Sequence, residues 1–416
     1  MRVDQHLQRG GHGRFRLLGV WTGPSITLPA AAALLGEPEP AVAAALEVLV
    51  DAHLLESPEP DVYRFHDLLR VYAADRARAQ ESDRDRHEAV SRLLTWYLHS
   101  TEAAARVISP QHARVPLDPP AAPVRPLEFS SLESSLAWCE HERAGLVAAT
   151  RLAAESGLHE AAWKMAAVAL SFYYRRSHWA DWVTTHQVGL ASARQAGDRW
   201  GEAWMLNNLG MAYGVQRMPE SVTCFEQALA RYRVLGDARG EARGATNVAN
   251  AYFDLRRFDQ ALAMAESALV AQRRAGKRNG EGITLGIIGG ACRELGRFGE
   301  AIERHLEALA IFRELGNRSS EADSLSDLGG AYLGLGQVED AIDCYRTSLA
   351  IRRDIADRHG EAVTLRRLAG ASQRSGDTRQ AVELLTQALR LYEELGDHAE
   401  ASEVRASLAA DSREAG

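Results

Sequence analysis

The residues best suited to chemistry in this chain of 416 residues are few and scattered. Cys139-Glu140-His141-Glu142 is its one dense run of nucleophilic, acidic and metal-ligating types. On a helix, consecutive side chains point about 100° apart, so these four cannot close on one metal ion. A solvated helix face is the expectation there. His178 and His186 flank a Trp-rich segment and read as lying at the boundary of a packed core. Gly276-Lys277 is the nearest approach to a phosphate loop, but it lacks the upstream glycine spacing and the following hydroxyl. Without such a loop the chain has no backbone cradle for phosphates and no Mg²⁺ ligand. No Gly-x-Ser-x-Gly elbow and no His-Glu-x-x-His helix occurs either. The expectation is no catalytic residue, no resident metal, and no enzyme.

Composition narrows the function classes further. Lys and Arg number 48 against 56 Asp and Glu, for a formal charge of -8. A large nucleic-acid footprint normally shows the opposite surplus. Hydrophobic residues at 46% and charged residues at 25% are the proportions of a globular protein. Four cysteines, Cys139, Cys224, Cys292 and Cys344, stand far apart with no C-x-x-C pair, which argues against a zinc site and a disulfide scaffold. The polar N-terminal segment offers no apolar leader, and no apolar run is long enough to span a bilayer. A cytoplasmic protein with reduced thiols and no membrane partner is expected.

The elements that must position any site announce themselves by repetition. Gly197-Asp198-Arg199-Trp200-Gly201-Glu202 returns as Gly236-Asp237-Ala238-Arg239-Gly240-Glu241, and again as Gly276-Lys277-Arg278-Asn279-Gly280-Glu281. It continues as Gly316-Asn317-Arg318-Ser319-Ser320-Glu321 and Ala356-Asp357-Arg358-His359-Gly360-Glu361. The period of about 40 residues is that of a helical-pair solenoid. Within each period the first helix carries Gly210, Ala249, Gly289, Gly329 or Ala369, and the second carries Ser221, Ala261, Ala301, Ala341 or Ala381. A second small position follows at Ala228, Ala268, Ala308, Ser348 and Ala388. Small side chains in register let helix backbones approach closely while larger neighbours fill the grooves.

This pattern resembles the tetratricopeptide repeat, in its version with extended helices, from about residue 200 to the C-terminus. An earlier pair, 160–175 and 178–195, looks like a degenerate repeat with Trp163, Tyr173, Trp179 and Trp182 as its core. The resemblance implies a concave groove lined by the first helices. The groove-facing positions are then Trp204, Asn207, Met211, Arg243, Thr246 and Asn250. Arg293, Asp323, Ser326, Arg366, Gln373 and Arg374 continue the set. Asparagines such as Asn207 and Asn250 can hold a peptide backbone by paired donor and acceptor bonds.

The first eighty residues follow a different pattern. A helix end at Phe15 to Leu18, a strand-like Ile26-Thr27-Leu28, helices at 29–35 and 40–53, and a hairpin through Tyr63 and Phe65 make a winged helix. Winged helices often bind DNA, yet no Lys or Arg lies between Arg16 and Arg64, and the recognition helix offers Glu39, Glu47 and Asp51. That charge repels phosphate, so direct DNA binding is not expected. Tyr63-Arg64-Phe65-His66-Asp67-Leu68-Leu69-Arg70 resembles instead the end of the winged-helix domain in NB-ARC (STAND-class) signalling ATPases. The resemblance assigns His66 to the β-phosphate of ADP and Asp67 to local backbone. Phe15 to Gly19, Leu28 to Gly36 and Leu136 to Leu146 extend the likeness to actinobacterial regulators of the AfsR (SARP) type, whose C-terminal half alone corresponds to this chain. With no P-loop present, the resemblance leaves His66 as a relic or partner-completed ADP sensor. No cofactor is expected unless a separate P-loop partner supplies ADP or ATP.

The full reading is a mainly all-α chain, a tetratricopeptide-repeat α-solenoid preceded by a small winged-helix domain. It comprises a winged helix at 1–80, a connecting helix at 81–108, a Pro-rich linker at 109–130, the degenerate repeat at 131–196, and repeats at 197–416. The expected function is a non-enzymatic protein-interaction or sensor module of a signalling or transcriptional system. Its partner is a protein or peptide in the groove, with an NB-ARC nucleotide-binding protein as a second candidate partner. A peptide-gated DNA-binding regulator and a truncated STAND regulator with residual ADP binding stand as alternatives.

Overall fold

The computed structural model describes residues 9–110, 113–120, 122–216 and 218–414. The polar segment at 1–8 lies outside the described residues. The chain divides into two compact units, Met1–Gln216 and Arg217–Gly416.

In the first unit, α1 (Arg9–Leu18), β1 (Ile26–Thr27), α2 (Leu28–Leu35) and α3 (Glu39–Asp51) lead into a hairpin of β2 (Glu56–Glu59) and β3 (Val62–Arg64). Pro29 sits in the first turn of α2, and Gly36 ends that helix in the left-handed region at φ 69°. The sheet order is β1-β3-β2, antiparallel, with Ile26 opposite Tyr63 and Glu56 opposite Arg64. Leu18, Ile26, Leu34, Val42, Leu46, Leu49 and Tyr63 bury their side chains together in its core. α4 (Asp67–Gln80) returns across α1, with the Phe15 ring edge-on to Phe65 at 5.5 Å.

The long α5 (Asp83–Ile108) is capped by Ser82, whose hydroxyl accepts from the Asp85 N–H. Its inner face carries Leu93, Leu94, Trp96 and Tyr97. α6 (Leu132–His141), α7 (Arg143–Glu155), α8 (His159–Arg176), α9 (Trp179–Gln195) and α10 (Arg199–Val215) complete this unit. Trp163, Tyr173 and Trp182 are fully buried in α8 and α9, and Trp179 packs beside them half-buried. The Pro-rich stretch does not stand apart as a spacer. Val115 is buried, and Leu117, Val124, Leu127 and Phe129 lie against the same core. The Leu127 N–H donates to Ser100 Oγ at 3.0 Å, and Arg114 Nη1 donates to Glu102 Oε1 at 3.2 Å. Apolar residues between the prolines gain more by burial than the extended backbone gains from water.

Glu142, at the joint of α6 and α7, pins three of these elements. Its two carboxylate oxygens accept from Thr27 Oγ1 of β1 and from the Tyr97 hydroxyl of α5, each at 2.8 Å. Burial raises its proton affinity, and the bonds from Thr27 and Tyr97 only partly oppose that.

The second unit runs through α11 (Glu220–Leu235), α12 (Ala238–Asp254), α13 (Phe258–Arg274), α14 (Arg278–Glu294), α15 (Phe298–Glu314), α16 (Arg318–Gly334), α17 (Val338–Asp354), α18 (Arg358–Ser375), α19 (Thr378–Leu395) and α20 (His398–Glu414). Each helix packs on its chain neighbours, and α12, α14, α16 and α18 also touch one another in sequence, forming one face. Ala261, Ala301, Ala341, Ala381 and the later set Ala268, Ala308, Ser348 and Ala388 are wholly buried in the seams.

The recurrent connector has a part for each residue. Gly236, Gly276, Gly316 and Gly396 take positive φ to end a helix. Asp237 or Asp357 then caps the next helix by accepting from the N–H of Gly240 or Gly360, both at 2.9 Å. Gly240 is small by necessity, since a Cβ there would fall 2.3 Å from the Tyr232 ring. The following Glu accepts from an Arg eight residues earlier. Arg233–Glu241 (3.2 Å), Arg273–Glu281 (2.7 Å), Arg313–Glu321 (2.9 Å) and Arg353–Glu361 (2.7 Å) repeat this clasp at four joints. Among the described residues no helix is long and apolar enough to cross a membrane.

Two outcomes follow from these joints. Glu142→Leu leaves the Tyr97 and Thr27 hydroxyls without their acceptor and should lower the stability of the first unit by about 2–3 kcal/mol in urea unfolding, whereas Glu142→Gln keeps one hydroxyl donating to its carbonyl oxygen, lets its NH2 donate to the other, and stays within about 1 kcal/mol. A carboxylate with raised proton affinity in the fold destabilises it as pH climbs above the unfolded-state value, so the Gln variant should gain on wild type as pH rises from 4 to 7. Equal losses for Leu and Gln would show that the hydrogen bonds do not matter. Ala356 occupies a helix-ending position at φ 55° where Gly276 and Gly316 stand at φ 63° and 64° in the neighbouring repeats. Ala356→Gly should therefore stabilise the second unit by about 0.5–1 kcal/mol in thermal unfolding, and a loss would refute strain at that joint.

Candidate functional site

The residues singled out for chemistry in the first unit are dispersed by the fold. Cys139 is buried, and burial with Glu140 and Glu142 nearby pushes its thiol up to about 12. Glu140 turns away to meet His178 Nε2 at 3.0 Å, and Glu142 is held by Thr27 and Tyr97. His178 sits at the core boundary as expected, but His186 lies wholly inside. Burial drives the His186 imidazole down to about 3, against the Trp182 carbonyl 2.9 Å from Nδ1. Among the described residues no group of three His, Cys, Asp or Glu side chains is arranged to hold a metal.

His66 is the residue before α4, directly after β3. Its ring is 62% exposed and meets Glu56 Oε1 across the hairpin at 2.8 Å. The same carboxylate takes Arg64, whose bond holds Glu56 below the usual carboxylate range with help from His66. The imidazole is thus engaged inside its own hairpin, and Asp67 is almost fully exposed. On α3, Glu47 accepts from the Tyr63 hydroxyl at 3.2 Å, while Glu39 and Asp51 face water.

The groove-facing positions separate into scaffold and open surface. Trp204 is buried against Trp200, ring centroids 4.9 Å apart. Asn207 is buried beside Met211, its Nδ2 3.8 Å from the Met211 sulfur. Thr246 is also buried. It donates to the Ala242 carbonyl at 3.1 Å, accepts from Gln272 Nε2 at 2.9 Å, and shares a 3.0 Å bond with Thr284. Arg243 lies over the Tyr232 ring and donates to its hydroxyl at 2.7 Å. Arg366 turns to Glu400 and Glu403 of α20, at 2.7 and 3.0 Å. Gln373 and Arg374 are exposed at the end of α18.

The remaining positions converge. Asn250 of α12, Arg293 of α14 and Asp323 of α16 line one cavity of about 420 Å³ in the second unit. Its floor is Gly282, Gly286 and Gly290, spaced four apart on α14, so one face of that helix presents backbone instead of side chains. Phe253, Ile283, Ile287 and Phe312 supply apolar walls. Asp327 of α16 and Arg367 of α18 pair at 2.9 Å at its edge, and Arg367 Nη1 also donates to Ser326 Oγ at 2.9 Å. Burial opposes the Asp327 charge, but Arg367 and Arg293 prevail and hold its carboxyl below the ordinary range. Burial works against the Arg367 charge too, and Asp327 more than restores it.

His305 of α15 reaches the same cavity from the second-helix layer and is wholly buried. Burial lowers its proton affinity, and Arg293 and Arg367 add to that while Asp327 opposes it, so the neutral form of the ring is favoured. Neither ring nitrogen has a protein partner. Sequence reasoning on first-helix positions passed over His305, Asp327 and Arg367. A signal was there: at intervals of 40 residues the second helices carry Phe225, Ala265, His305, Tyr345 and Leu385. One imidazole in a column of Phe, Ala, Tyr and Leu marks the repeat that differs. Leaving an imidazole buried without partners costs about 1–3 kcal/mol against an apolar group of similar shape.

Comparison with known proteins agrees with this architecture. The tetratricopeptide-repeat family pattern matches residues 201–274, 240–314, 280–354 and 320–394 in overlapping pairs of repeats. The regulatory protein AfsR of Streptomyces coelicolor is 31% identical over 296 residues, which is 60% of this chain and 29% of that protein. AfsR of Streptomyces griseus is 36% identical over 250 residues, 57% of this chain and 25% of that protein. The chain thus matches under a third of the length of these relatives. Among solved structures, a STAND signal-transduction ATPase with a tetratricopeptide-repeat sensor from Pyrococcus horikoshii aligns at a TM-score of 0.62 and 16% identity, over 99% of this chain and 54% of the other. At that identity the likeness speaks to the fold alone. The long helical hairpins, the clasped joints and these matches together make residues 201–394 tetratricopeptide repeats, in a chain homologous to AfsR-type regulators over about 60% of its length and fitting a C-terminal repeat-bearing part of such a regulator.

Proposed function

We propose that this chain is the sensor part of an AfsR-like regulatory system, and that the first-helix face of its second unit captures a segment of a protein or peptide partner. The tetratricopeptide fold is a non-catalytic interaction scaffold. What supports binding at this place is the cavity itself, where residues from successive repeats converge over a glycine floor between apolar walls. An extended segment laid there would meet exposed backbone at Gly286, apolar contact at Ile283 and Ile287, and polar groups at Asn250 and Asp323.

In this reading the elements before α5 form a winged helix that docks on a nucleotide-binding NB-ARC partner. The support is the acidic α3 together with Leu68 and Val71, 85% and 56% exposed on α4 beside the His66 hairpin. His66 would contact ADP only in company with a P-loop supplied by that partner. The acidic α3 weighs against the alternative of a DNA-reading helix.

The groove reading is tested by selecting binders from a displayed library of random dodecapeptides and measuring the selected peptides against Ile283→Asp. Ile283 is 43% exposed, so the substitution should leave stability within about 0.5 kcal/mol. The expected outcome is at least a tenfold loss of affinity for the Asp variant in fluorescence titration. Peptides that bind both proteins equally, or a library with no binders, would overturn this assignment of the groove.

A further inference from the structure

The cavity on α12, α14 and α16 has a surplus of hydrogen-bond donors at its inner end. His305 is wholly buried, and both of its ring nitrogens lack a protein partner. The ring seats directly over α14, so close that a Cβ on Gly289 would fall 2.7 Å from its Nε2. Arg293 Nε is likewise buried without a partner, while its Nη2 donates to Glu294 Oε1 at 2.8 Å. Arg367 makes both of its bonds through Nη1, to Ser326 and Asp327. The acceptors nearby are committed: Asp327 to Arg367 at 2.9 Å, and Asp323 to Arg352 at 2.5 Å. A cationic group entering here would meet two guanidiniums, and an apolar group would leave the imidazole and Arg293 Nε unanswered. A group that only accepts, and carries negative charge, answers both.

We propose that the His305 pocket is a carboxylate subsite, taking the carboxylate of a bound peptide between His305, Arg293 and Arg367 with an apolar neighbour of that carboxylate on Ile283 and Phe253. The carboxylate comes from an Asp or Glu side chain or from a peptide C-terminus. This rests on the groove reading above and narrows it to a chemistry. Packing does not explain the histidine, because the equivalent position in other repeats is filled by Phe225, Tyr345 and Leu385, all buried in the same kind of seam. Nor does a pH switch, because the groups facing His305 are Arg293, Arg367 and Asp327, of which the two arginines disfavour its protonation in the free protein.

The test uses the full chain with isotope-labelled histidine and three sequence-matched probes: acetyl-Leu-Asp-amide, acetyl-Asn-Leu with a free carboxylate, and acetyl-Leu-Asn-amide. The His305 ring signals, assigned through His305→Phe, should shift with at least one carboxylate probe. That probe should bind at least tenfold more tightly than the neutral amide, and the tighter of the two tells side chain from C-terminus. His305→Phe should unfold no earlier than wild type and lose the carboxylate preference, and Arg293→Gln should reduce it without removing Ile283-dependent binding. Equal binding of all three probes, or a preference that survives both substitutions, overturns the subsite. Library-selected peptides that depend on Ile283 yet carry neither an acidic residue nor a free C-terminus overturn the subsite and leave the groove reading intact. If no selected peptide depends on Ile283, the groove reading falls and the subsite falls with it.

Discussion

A helical hairpin with one apolar stripe is stable only when the next hairpin covers it, so the joint that sets the angle between them governs everything else in the repeats. Here that joint is built four times over in the second unit from the same parts. A left-handed residue ends one helix, a capping Asp or Asn starts the next in most of them, and a Glu reaches back to an Arg eight residues earlier. These ion pairs are partly exposed, and each alone contributes about 1 kcal/mol or less. Their value lies in geometry. With both ends of the turn held, the buried Ala and Ser columns fall into register and the two helices approach as closely as small side chains allow.

Because the joints and seams hold the repeat, the outward positions of the first helices are released from structural duty. The spacing of 40 residues places Asn247, Ile287, Asp327 and Arg367 at equivalent points of successive repeats, and the column changes from amide to apolar to acid to base. Such variation within a uniform frame is how a solenoid acquires a site without altering its fold. The glycine face of α14 goes further. Gly282 and Gly290 make room for the Phe312 and Phe253 rings, which a Cβ would approach to 2.8 and 3.1 Å, while Gly286 has open space at its Cβ position and costs the helix roughly 1 kcal/mol relative to Ala.

Most of the architecture was legible in the residues because it depends on local and periodic signals. The connector Gly-Asp-x-x-Gly-Glu predicts a stop, a cap and a close approach, and Gly236, Asp237 and Gly240 perform those three parts. The order helix, strand, helix, helix, hairpin was readable for the same reason. Side-chain direction was harder. Thr246 and Asn207 sit on the groove-bearing helices, yet a rotation of a fraction of a turn carries them into the seam, where Thr246 joins Gln272 and Thr284. The Pro-rich stretch misled in another way, since its composition favours extended backbone but says nothing of what Val115, Leu127 and Phe129 find to cover. His305 escaped because attention rested on first helices, while the cavity borrows its innermost group from a second helix.

The buried polar groups of this chain can be ordered by how fully they are answered, and the order separates structure from recognition. Glu142 has each oxygen occupied by a hydroxyl from a different element, so its burial joins parts of the first unit. Thr246, Gln272 and Thr284 satisfy one another across a seam. Each of these networks is closed, which is the condition under which burying polarity stabilises a fold instead of taxing it. His305 is not answered: it stands on the wall of the cavity, in a column of Phe, Ala, Tyr and Leu, with neither nitrogen bonded to the protein. An open network next to a closed one, on the face the repeats leave free, is better accounted for by a ligand than by the fold, because the fold had Phe, Tyr and Leu available for the same position and used them in the neighbouring repeats.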